Sequence, residues 1–254
     1  MSALPAKTGW SWLKQAMELF RKQPAALTTV MFANVLLSIV LGNIPLLGQI
    51  AAVVLIPSFS MALMQACLMI DHNQRVTPVV LLTGFRKPVV FSLCKVGLAY
   101  LAVTAVLTLM AYLMIGDSFW KQAATPAASP VVDPSDLMGV LVIALLQVAT
   151  VVVLCFAAPL VYWQQMPPAK AIFFSFFAVV RSLRVFMVML MAWFGMFLAT
   201  TVVLLMVLGN ASIGRIVLTW VAFLFILLLQ CAMYAGYRQV FGVPELKGKP
   251  GAAL

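Results

Sequence analysis

The 254-residue chain is short of charge, and of negative charge above all. Charged residues make up 9% of it, six acidic against sixteen basic, and histidine occurs once. So few charges exclude a soluble domain, whose surface needs far more polar side chains to stay hydrated. The acids Glu18, Asp71, Asp117, Asp133, Asp136 and Glu245 all fall in connections or interfacial segments. None supplies the carboxylate at bilayer depth on which a proton- or sodium-coupled transporter is built. His72 stands in Asp-His-Asn-Gln-Arg, the composition of a solvated turn, with no partner for acid–base work. The four cysteines, Cys67, Cys94, Cys155 and Cys231, have no CxxC spacing and read as small buried hydrophobes, with no metal site or disulfide expected. The sixteen methionines scatter among apolar positions and read as adaptable packing. No cofactor is expected, and no catalytic residue: the chain is expected not to be an enzyme.

What the chain has in excess is long apolar runs. Hydrophobic residues make up 65% of it, and the mean hydropathy is +1.11. In lipid only helices or a closed barrel satisfy the backbone. Barrel strands alternate apolar and polar residues, whereas VLIPSFSMALMQACLMI and WVAFLFILLLQCAMYAG are continuous. Helices are therefore expected, with six spans near 25–41, 47–70, 93–115, 137–162, 185–208 and 216–236. Pro57 and Pro159 lie inside the second and fourth, where they should kink them. The polar helical segment ahead of the first span, with no small-residue cleavage site behind that span, is unlike a cleaved secretion signal. The first span is expected to target the chain and remain in it.

Fourteen of the sixteen lysines and arginines fall on the N-terminus, the connections after spans two and four, and the C-terminus. Only Lys121 and Arg215 fall on the other set of connections. By the positive-inside rule the rich side and both termini are cytoplasmic. The net charge of +10 is then an orientation device, and no nucleic-acid module accompanies it, so no nucleic-acid partner is expected. The longest outer connection, about 116–136, is rich in proline and alanine and reads as a flexible loop.

The spans fall into three units, each a cytoplasmic segment ending in a basic cluster and then a helical hairpin. The clusters are Phe20-Arg21-Lys22, Phe85-Arg86-Lys87 and Val180-Arg181-Ser182-Leu183-Arg184, with Pro24 and Pro88 closely behind the first two. The segment before unit one is amphipathic over residues 10–22. Trp10, Leu13, Ala16, Met17 and Phe20 share a face about 120° wide, with Thr8 or Ser11 as candidate caps. It is expected to lie in the interface, its tryptophans at headgroup depth. Before unit three, Lys170, Arg181 and Arg184 fall within about 60° of one another on one wheel. The segment before unit two, VVLLTGFRKP, is interrupted by Gly84 and gives no clear helix. Arg21, Lys22, Arg86, Lys87, Arg181 and Arg184 are the candidate lipid-headgroup residues, with anionic membrane lipids as partners. The plainer alternative is that they anchor the topology as such clusters do throughout inner-membrane proteins.

Several strings occur together: Pro5-Ala6, Gly9-Trp10 and Trp12 followed by ELFRKQP, then NIPLLGQI and LIPSFSMAL, then APLVYWQQMPPAKAIFFSF. In these the chain resembles a family of uncharacterised proteobacterial inner-membrane proteins of about this length. The resemblance covers most of the chain but not the loop around 117–136. It implies a multi-pass protein of the bacterial inner membrane. More distantly, the repeated segment-plus-hairpin plan is similar to the membrane domain of some glycerophosphodiester phosphodiesterases, without the hydrolase domain and hence with no catalytic residues to carry over.

The expected fold is all-α, a polytopic transmembrane bundle of six spans in three hairpins, each preceded by a cytoplasmic interfacial segment. It forms one integral membrane domain over 1–254: segment 1–24, hairpin 25–70, segment and hairpin 71–162, segment and hairpin 163–236, tail 237–254. Asn34, Ser38, Gln147 and Thr150 are the candidate intramembrane polar residues, either lining a cavity or bonding helix to helix. Gln49 opens span two; Gln65 and Gln230 lie nearer the cytoplasmic end. A non-enzymatic partner-binding or envelope-organising protein is the leading expectation. A transporter or lipid-handling protein is the alternative, since internal repeats recur in transporters. Protein partners and oligomeric state stay open at this level.

Overall fold

Apolar runs of this length bury their backbone polarity only by coiling, and helices account for them throughout. The computed structural model describes residues 5, 7–45, 47–87, 89–116, 119, 134–209 and 212–244. Pro88, most of the outer loop with Asp117, Lys121 and Asp133, and the tail with Glu245, Lys247 and Lys249 lie outside the described residues. In chain order come α1 (Thr8–Lys22), α2 (Pro24–Gly42), α3 (Leu47–Asp71), a 3₁₀ stretch (Pro78–Phe85), α4 (Val89–Met114), α5 (Pro134–Leu154), α6 (Ala157–Trp163), α7 (Pro168–Arg181), α8 (Leu183–Leu208) and α9 (Ser212–Phe241). No strand occurs among the described residues.

Six segments are long and apolar enough to cross a membrane: α2, α3, α4, α5 with α6 over Asp136–Trp163, α8 and α9. They coincide with the six expected spans to within a few residues. The largest difference is in α9, which runs on to Phe241 and so takes Arg238 out of the expected tail and into the helix.

The span holding Pro159 is broken, not merely kinked. Helix α5 stops at Leu154 and α6 starts at Ala157, because proline has no N–H to continue the ladder. Ser175 of α7 repairs the break. Its hydroxyl accepts the Phe156 N–H at 3.2 Å and donates to the Val153 carbonyl, so backbone groups freed at bilayer depth keep partners.

One backbone feature recurs in all three hairpins. The second helix of each hairpin ends in a left-handed residue: Asn73 after α3, Gln165 after α6 and Gly242 after α9. At the first, the Gln74 N–H returns to the Met69 carbonyl at 2.8 Å, as in a Schellman closure. The packing is cyclic. The 3₁₀ stretch, which leads unit two, lies on hairpin one (α2 and α3). Helix α7, which leads unit three, lies on hairpin two (α4 to α6). Helix α1, which leads unit one, lies on α8 and α9 of hairpin three. The second and third leading segments thus cover the hairpin before them, and the first covers the last hairpin, which closes the cycle.

Close approach makes this possible. A Cβ at Gly97 of α4 would run into the Val54 carbonyl of α3, and one at Gly9 of α1 into the Val185 carbonyl of α8. On the other side of α1 the Trp12 ring lies against Gly236 of α9, where a Cβ would sit 3.0–3.2 Å from it.

Helix α1 therefore differs from expectation. It is amphipathic, but Trp12, Leu13, Ala16 and Leu19 are buried against protein, while Trp10 and Met17 face outward. The expected face was turned because Trp12 and Leu19 extend the apolar stripe on the other side, and protein competes for them better than the interface does. No side chain caps its start: Thr8 is buried inside the helix, and Ser11 accepts a hydrogen bond from Gln15 at 3.0 Å. Helix α7 also departs from the single wheel expected of unit three. It ends at Arg181, Ser182 breaks the run, and Arg184 belongs to α8.

The core gathers where α3, α6 and α9 end and α1 docks, an end called here the basic end. Met64, Leu68, Phe156, Leu160, Tyr234 and Tyr237 are among its fully buried side chains. Farther along, the hairpins turn apolar faces outward: in α8, Val185, Phe186 and Met189 are buried, then Met191, Phe194, Leu198 and Met206 are exposed. A soluble protein does not expose apolar surface on this scale; in a bilayer it is the lipid-facing side.

Candidate functional site

Two polar constellations stand out, one at the basic end and one between hairpins one and three. At the basic end, α9 extends Arg238 toward the last residue of α3. Arg238 Nη1 donates to both carboxylate oxygens of Asp71 at 2.7 and 2.8 Å, Tyr234 Oη donates to Asp71 at 3.0 Å, and Arg238 Nη2 donates to Gln15 of α1 at 2.6 Å. The Trp12 indole N–H is held by Gln239. Asp71 is thus no part of a solvated turn. It is the hub tying α1, α3 and α9 together, with its side chain 18% exposed. At that exposure the charge-assisted bonds together contribute roughly 1–3 kcal/mol. Its sequence signal was its sign, a lone acid at the end of a span on a side crowded with basic residues. His72 beside it bonds back to the Leu68 carbonyl at 3.0 Å and finishes the helix.

The six basic candidates are not drawn into this hub. Arg21 and Lys22 close α1, Arg86 and Lys87 follow the 3₁₀ stretch, Arg181 closes α7 and Arg184 opens α8, and all six are exposed. They stand in three groups at the feet of α2, α4 and α8, helices that do not pack extensively on one another.

The intramembrane candidates divide. Gln147 donates to Tyr100 Oη at 3.3 Å, joining α5 to α4, and Thr150 bonds back to Leu146 of its own helix at 2.9 Å. Asn34 and Ser38 line a groove of about 370 Å³ between α2, α3 and α9, together with Ser60 and Gln230. Asn34 Nδ2 donates to the Phe59 carbonyl of α3 at 3.1 Å, and Ser38 bonds back to the Asn34 carbonyl at 2.8 Å. Ser60 Oγ contacts Gln230 Oε1 at 3.4 Å, and this pair divides the groove from a second cavity of about 120 Å³ lined by Tyr100, Cys155 and Met233. Ser60 was not legible as a site residue, since a serine in a long span is as often a helix-bonded filler. Gln65 is taken by the Trp163 indole N–H at 3.0 Å, and Gln49 is exposed.

Cys67 and Cys231, 164 residues apart, meet with sulfurs 3.4 Å apart in the core between α3 and α9. They are free thiols, as are Cys94 and Cys155. Among the described residues no group of three His, Cys, Asp or Glu side chains is placed to hold a metal ion.

No family model and no solved structure matches the chain. A protein of Burkholderia thailandensis, described as a probable inner membrane protein, is 30% identical over 261 aligned positions that take in 97% of this chain and 94% of that protein. Nothing in these comparisons supports the distant likeness to the phosphodiesterase membrane domain, which carries no further argument.

Proposed function

The chain belongs to the same family as that Burkholderia protein and is an integral inner-membrane protein; from that premise we propose that it is not an enzyme. Its work is to organise its surroundings in the envelope by binding partners, anionic phospholipids among them. The observation that carries this is the arrangement of three exposed basic clusters at the feet of the three hairpins. Aromatic side chains able to enter the headgroup region lie on the segments that lead into them, notably Trp10 on α1 and Phe173, Phe174, Phe176 and Phe177 on α7. Lys170 lies 5.8 Å from the Phe174 ring centroid, so cation and apolar face are joined on one helix. In this proposal the basic end and both termini are cytoplasmic, where the leaflet is anionic.

Orientation is tested by reporter fusions. Those near residues 45, 125 and 211 should score periplasmic, and those near 75, 167 and 248 cytoplasmic. A cytoplasmic signal from the 116–136 loop would overturn the scheme. Lipid binding is tested with the double variant Arg86→Gln and Lys87→Gln. Each basic residue near an anionic leaflet contributes about 1 kcal/mol, so retention of anionic phospholipid at that foot should fall roughly thirtyfold at low salt. Mass spectrometry of the purified protein reads this out, and topology should survive. The same lipids retained at matched salt would reduce the clusters to orientation anchors.

A second reading, a lipid-handling protein or transporter, is favoured by the groove between hairpins one and three. Flux of lipid or solute in reconstituted vesicles would support it, and its absence would leave the organising role standing.

A further inference from the structure

We propose that the groove between α2, α3 and α9 binds a neutral membrane lipid through a free hydroxyl, with Gln230 and Asn34 as its polar contacts; diacylglycerol is the simplest such lipid and serves as the probe. The proposal requires occupancy, not transport, and stands apart from the basic clusters.

It starts from unmet hydrogen bonds. Gln230 accepts from Ser60, but its two amide N–H groups find no partner among the described residues. Asn34 donates to Phe59, but its Oδ1 accepts from nothing described. Asn34 and Ser60 lie near the middle of α2 and α3, so these groups sit at hydrocarbon depth, where acyl chains offer nothing to bond. A polar occupant of the groove would supply the partners these groups lack. Among the described residues no Lys, Arg, His, Asp or Glu lines it, so a phosphate or an ammonium there would be unpaired. A carbonyl, as on a quinone, would serve Gln230 and leave the Asn34 oxygen wanting a donor. A hydroxyl donates to one and accepts from the other.

Apart from Ser38 and Ser60, the rest of the lining is apolar. Met31 and Leu63 are buried, while Ile39 and Ile56 are exposed, so the groove opens sideways. Its volume of about 370 Å³ is that of a ligand pocket but too small for a whole two-chain lipid. The headgroup and the first carbons fit inside, and the tails leave past Ile39 and Ile56 into the bilayer.

The test uses the full-length protein in phospholipid nanodiscs, with a trace of diacylglycerol bearing a diazirine on one chain. After illumination, cross-links should map to residues 31–39 and 56–63. Unlabelled diacylglycerol should compete, and phosphatidic acid should not. Gln230→Met removes the amide at similar volume and should lower labelling about fivefold, the loss of one intramembrane hydrogen bond. Should Gln230→Met disturb α9, Ser38→Phe fills the groove from α2 and should also abolish the signal, while Thr150→Phe on hairpin two leaves it unchanged. Removing Arg86 and Lys87 should not alter it either, so failure here and failure of the organising role are read separately. Labelling confined to other helices, equal competition by phosphatidic acid, stronger labelling of the same peptides by a diazirine quinone, or full labelling in both groove variants would overturn the proposal. The last result would mean that the probe reaches these helices from the bilayer, outside the groove.

Discussion

Trp12→Ala is expected to cost about 3–5 kcal/mol and to release α1 from the bundle. The ring is fully buried, packed edge-on against Phe186 at 5.3 Å between centroids, laid on Gly236, and tied through its N–H to Gln239. The thermal midpoint in detergent should fall sharply, and cleavage by a Lys/Arg-specific protease at Lys14, Arg21 and Lys22 should appear. Trp10→Ala, two residues away, is the control. Trp10 is 44% exposed, and its loss should cost less than about 1 kcal/mol. If α1 were an anchor lying in the membrane surface, the order of the two effects would reverse.

Gly97→Val should be nearly as damaging, at about 3 kcal/mol or more, because it drives a branched side chain into the α3 backbone at Val54. The expected result is loss of folded protein from the membrane fraction, read by size-exclusion profile and by abundance. Gly195→Ala supplies the contrast. Nothing lies within 4 Å of a Cβ at Gly195 in α8, so that change should be neutral or stabilise by up to about 1 kcal/mol. Equal effects from the two glycines would show that α3 and α4 do not cross as described.

The six spans were legible because length and hydropathy are properties of a segment by itself. The packing was not, because spans such as α4 and α8 are apolar on every side, and sequence then carries no mark of which face meets protein and which meets lipid. At α1 a polar face existed, and the helix was readable, yet its rotation was misjudged through the omission of Trp12 and Leu19. Asn34 and Ser38 were found because polar groups in a span are rare. Gln147 and Thr150 looked equivalent, and only geometry separates a residue bonded to its own hairpin from one that lines a groove. Asp71 and Arg238 were missed as a pair because they lie 167 positions apart, and each taken alone is an ordinary interfacial charge.

The cyclic packing also sets a schedule. The groups that bond α1 to α9 are separated by more than 220 positions, as in Gln15 with Arg238 and Trp12 with Gln239. Helix α1 leaves the ribosome early, but the surface that buries Trp12 exists only once α8 and α9 have been threaded into the membrane. Until then its indole and its polar side chains have no counterpart, and hairpins one and two are joined without a closing piece. Completion of the ring therefore waits on hairpin three. A chain cut short after the second hairpin would lack the surfaces on which α1 docks.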